Sequence, residues 1–74
     1  MTGARQPNLL DLVAVLASPD DPEIRAGDVG TVVEFLPPDA VEVEFLGRDG
    51  RTRHVGTLRL GEVLALNRER TRVA

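Results

Sequence analysis

The chain has 74 residues, no cysteine, a single histidine (His54), two phenylalanines and neither tyrosine nor tryptophan, and its formal net charge is −3. This composition excludes a disulfide framework, a thiolate site and any site built from several histidines. It also lacks the basic field of a general nucleic-acid binder and the aromatic platform that grips single strands or proline-rich peptides.

One domain of this size buries only about 60% of the surface its unfolded chain exposes, so the expected core is thin. No apolar run reaches the roughly 18 residues of a membrane span. Residues 1 to 8 are polar, contain Gly3 and Pro7, and show neither periodicity nor the features of a signal peptide. They read as a loose tail, and the expected location is cytoplasmic. All nine basic residues are arginine, a bias that either a GC-rich coding sequence or selection for bidentate arginine contacts produces.

Leu9 to Ala17 is an apolar run of about nine residues, short for a helix, and Ser18-Pro19-Asp20-Asp21-Pro22 breaks it at once. A strand is predicted, with a helix as the competing reading because Leu and Ala dominate. Ser18 to Ala26 holds two prolines and three acids and reads as a long exposed loop. Gly27 and Asp28 open the next segment. Asp28 to Leu36 is rich in β-branched residues and is predicted to be a strand, with a sharp bend or positive φ at Gly30. Pro37 to Ala40 makes a turn.

Val41 to Leu46 alternates strictly, with Val41, Val43 and Phe45 on one face and Glu42 and Glu44 on the other. This is the pattern of a half-buried antiparallel strand. Asp49-Gly50 is a hairpin turn, because both residues tolerate positive φ. Arg51 to Leu58 returns as the partner strand, with Val55 and Leu58 expected inside and a slip near Gly56. Leu60 to Val63 reads as a single 3₁₀ turn, Val63 to Leu66 as a closing strand, and residues 67 to 74 as an arginine-rich polar tail. The expected fold is all-β: a five-stranded SH3-like barrel over residues 9 to 66, curled so that its edges do not stay free.

The block Gly27-Asp28-Val29-Gly30-Thr31-Val32-Val33-Glu34, followed by VEVEF and the Asp49-Gly50 turn, resembles the bacterial domain-of-unknown-function family 4926. Asp11, Val13 and Val15 match its opening strand, and Leu58 to Leu64 its leucine-centred end. The resemblance implies an SH3-like fold and brings no activity with it. A looser similarity reaches the KOW-type motif of ribosomal and transcription-elongation proteins, whose glycine is structural and whose basic flanks meet RNA or protein. Here the flanks are acidic: Asp20, Asp21, Glu23, Asp28 and Glu34.

Three groups of residues are candidates for function. Glu34, Glu42 and Glu44 form an acidic strip, either a solvated face that guards an edge or a docking surface for a basic partner. Arg51, Arg53, His54 and Arg59 form a basic cluster, either exposed strand residues or an anion contact. Asp20, Asp21 and Glu23 offer too few oxygens, between two rigid prolines, for a calcium loop. No nucleophile and orienting acid accompany His54 in any motif, so neither enzymatic activity nor a cofactor is expected.

Nine of the twelve acids lie between Asp11 and Glu44, where Arg25 is the lone base, whereas seven arginines follow Phe45. This asymmetry favours a non-catalytic protein-binding module: an accessory subunit, or an antitoxin- or immunity-like inhibitor of a partner protein. The alternatives are a KOW-like nucleic-acid binder and a purely structural domain.

Overall fold

The computed structural model describes residues 6–17 and 19–66. Strands form where β-branched and alternating residues predict them: β1 (Leu12–Val15), β2 (Val29–Leu36), β3 (Ala40–Leu46), β4 (Thr52–Arg59) and β5 (Val63–Ala65). A one-turn 3₁₀ helix, Leu60–Glu62, precedes β5 as expected. All pairings are antiparallel, and the strands make one sheet in the order β4-β3-β2-β1-β5. Its hydrogen bonding is open, with β4 and β5 at the two ends. Leu58 from one end and Val63 from the other nevertheless join a single core with Val13, Val15, Val32, Val41, Val43 and Phe45. The sheet therefore curls so that one face closes on itself.

β1 is a strand, and it is shorter than the apolar run that encodes it. The Asp11 carboxylate accepts from the Asn8 N–H, and the Asp11 N–H donates to the Asn8 carbonyl. Leu9 and Leu10 are thereby held in a turn, with Leu10 at φ 70°. Residues 1–5 of the expected loose N-terminal segment lie outside the described residues, as does the whole of 67–74. Pro7 within that segment is buried.

Three expectations need correction. Positive φ occurs at Gly27 (92°) and Gly50 (83°), not at Gly30. Gly30 is required by close approach instead: a Cβ there would lie 2.5 Å from Val43 Cγ1 and 2.8 Å from the Glu44 carbonyl oxygen. The irregularity of β2 falls at Val33, where pairing skips from Val32↔Val43 to Glu34↔Glu42.

In β4 there is no slip at Gly56, because His54, Gly56 and Leu58 all take the inner side. The shift occurs at Arg53, between Phe45↔His54 and Leu46↔Thr52. Val55 consequently faces outward and is exposed. The long loop is not wholly exposed either, since Ile24 is a core residue with 2% of its surface accessible. Gly56 makes room for it, because a Cβ at that position would sit 2.6 Å from Ile24 Cδ1.

Candidate functional site

The basic residues of β4 separate once the strand is built. Because Arg53 is the extra residue of a bulge, it leaves the regular alternation and reaches over the inner edge of the sheet. Its guanidinium lies 5.6 Å from the Phe45 ring centroid, donates to the Glu23 carbonyl at 2.9 Å and meets the Asp28 carboxylate at 3.5 Å. His54 Nε2 is 2.7 Å from Asp21 Oδ2, a half-buried contact. Asp21 also accepts from the Glu23 N–H. Hydrogen bonding from His54, and then from that N–H, holds the Asp21 carboxyl below its ordinary value of 3.8.

Arg53 and His54 therefore fasten the 19–28 loop to β4. Arg51 stands apart in the hairpin turn, and Arg59 lies at the far end of β4. The Arg59 backbone N–H donates to the Glu62 carboxylate, closing the 3₁₀ turn. The four basic residues do not form one anion pocket.

The structural residues have distinct tasks. Asp28 accepts from the Arg25 N–H and Gly27 supplies the left-handed turn into β2. Asp49 accepts from the Arg51 N–H and Gly50 supplies positive φ in the hairpin. Phe45 sits in the core. Asp11, Asp21, Asp28, Asp49 and Glu62 are thus engaged with nearby backbone. Three of the nine acids between Asp11 and Glu44 are therefore taken up by local turn chemistry, namely Asp11, Asp21 and Asp28. Among the described residues no group of His, Cys, Asp or Glu is arranged to hold a metal ion, and no helix is long and apolar enough to cross a membrane.

Glu34, Glu42 and Glu44 lie on the outer face of the sheet. Glu34 and Glu42 are direct cross-strand partners, and Glu44 lies opposite Thr31 on one side and Val55 on the other. Glu44 also accepts from the Thr52 hydroxyl. The three glutamates predicted as a strip are therefore brought together on one face.

Beside them runs an apolar row that the sequence reading missed. Val29 pairs with Ala14, and Ala14 with Leu64. Leu46, two residues beyond Glu44 on the same side of β3, extends the row. Val29 (51%), Leu64 (51%) and Leu46 (55%) are all half open to water, and Leu16 continues the outward side of β1. The signal was available, because β1 reads LVAV and β5 reads VLA, apolar at both parities. Strands of that kind are normally covered on both faces.

A family model described as "Domain of unknown function (DUF4926)" matches residues 9–65. No curated protein and no solved structure compared with the chain matches it.

Proposed function

We propose that this chain, which belongs to the DUF4926 family, is a non-catalytic protein-binding module that docks a partner through the outer face of its sheet. The observation that carries this reading is the apolar row Leu46–Val29–Ala14–Leu64, whose larger side chains are half open to water among the described residues, beside Glu34, Glu42 and Glu44. A contiguous exposed apolar patch with a polar rim is the usual mark of a protein interface. The strand order, with β5 pairing back onto β1, supports reading the fold as SH3-like.

An accessory-subunit role and an inhibitor-like role both use such a face. The cytoplasmic expectation fits a chain that needs no oxidising compartment for cysteines. The nucleic-acid reading draws less support, since Arg53 is occupied by Glu23 and Asp28.

The test is comparative capture from the native host at physiological salt, with wild type and a Val29→Asp/Leu64→Asp variant as baits. The reading expects a protein held by wild type and lost by the folded variant. Equal recovery by both baits would remove the outer face as the docking surface.

A further inference from the structure

Resting on the protein-binding reading above, we infer that the outer face selects a partner segment presenting an arginine beside an apolar anchor, with the guanidinium seated between Glu34 and Glu42. These two carboxylates are direct cross-strand partners, an arrangement in which like charges repel. The salt bridges among the described residues are Arg53–Asp28 and His54–Asp21, so neither glutamate is paired with a cation there. A pair that raises the energy of the free protein gains most from a cation arriving from outside. A guanidinium is planar and presents donors in a fork, so it bridges two carboxylates better than an ammonium does.

The spacing on the face sets a register. Residues two apart along a strand are separated by about 6.8 Å on one face. From Glu42 through Glu44 to Leu46 is therefore about 13.6 Å along β3. An extended segment spans that distance in about four residues. The favoured occupant carries an arginine over Glu34 and Glu42 and an apolar side chain four positions away, over Leu46 and its β2 neighbour Val29. A second copy docking face to face is disfavoured, because it would set Glu34, Glu42 and Glu44 against an equally acidic surface.

The experiment titrates the full chain, followed by backbone NMR shifts, with a ten-residue Ser/Thr peptide bearing one arginine and one leucine four positions apart. The control peptide replaces the arginine by citrulline, its neutral isostere. The expected result is shift changes at Glu34, Glu42, Leu46 and Val29, and at least fivefold weaker binding of the citrulline peptide. A Glu34→Gln/Glu42→Gln variant should erase that difference while its urea midpoint rises, because the repulsion is gone. A lower midpoint, or equal binding of the two peptides to wild type, overturns the arginine assignment. If both peptides occupy this face equally, the arginine is wrong and the protein-binding reading stands. If neither binds, or sedimentation shows the chain dimerising through this face, the arginine proposal falls, and the capture comparison decides the broader reading by itself.

Discussion

At the scale of single residues, two positions have consequences that side-chain chemistry alone decides. Gly30 faces Val43, a stiff β-branched residue with no exposed surface, and the Glu44 carbonyl. Neither can retreat without moving β3. Gly30→Ala should therefore destabilise the domain by about 1–3 kcal/mol, the usual range for overpacking a filled core, measured as a lower urea midpoint at unchanged slope. A neutral result would mean that β2 and β3 are not so close.

Asp21 acts through charge. Its folded pKa lies below the ordinary value because His54 and the Glu23 N–H favour the carboxylate. The folded state thus binds fewer protons at this group than the unfolded state. The stabilisation is present above the unfolded pKa and is lost as the pH falls through the lower, folded one. Thermal scans from about pH 5 downward should show wild type losing more melting temperature than Asp21→Asn, with the gap opening below about pH 4. Parallel acid profiles would show that the pair contributes nothing to folding.

The sequence marks Gly30 as special, but the period-2 pattern cannot tell a positive φ from a close approach, since both demand glycine. The Asp21–His54 contact spans 33 positions, and no local pattern reports a pairing that loop docking creates.

At the scale of elements, legibility follows how much apolar contrast each strand carries. β3 is explicit because valine and phenylalanine alternate with glutamate, and its boundaries match within a residue. β4 is not, because Gly56 occupies the inward position where an apolar side chain would have marked the core side. That absence also moved the expected irregularity from Arg53 to Gly56. The 19–28 loop was obscured by its prolines and acids, which outvote one isoleucine.

Ile24 is the loop's only residue in the core cluster. Ile24→Ala should cost about 2–5 kcal/mol, the range for truncating a buried isoleucine. Hydrogen exchange should rise first in the loop and in the neighbouring part of β4, because Ile24 is what brings Asp21 within reach of His54. A loss spread evenly over all five strands would instead mean that the loop and sheet unfold as one unit.

At the scale of the whole molecule, the two faces of the sheet have different obligations. The inner face is satisfied by its own curl, with Phe45, Leu58 and the valines closing on each other. The outer face is apolar along β1 and β5 as well, and among the described residues Leu16 and Leu64 there stay half open to water. Those outward side chains lie outside the core cluster, so their replacement tests stability and recognition separately. Leu64→Asp removes a half-exposed side chain and leaves every core residue in place. Its change in unfolding free energy should be about 1 kcal/mol, since only half of the leucine is buried. Its capture of a partner should fall sharply, because a charge introduced into a desolvated interface centre is left unpaired. Denaturant unfolding and capture measured on the same preparation make the comparison. A variant that loses most of its stability together with binding would show that β5 is needed for the curled sheet itself rather than for what the sheet presents.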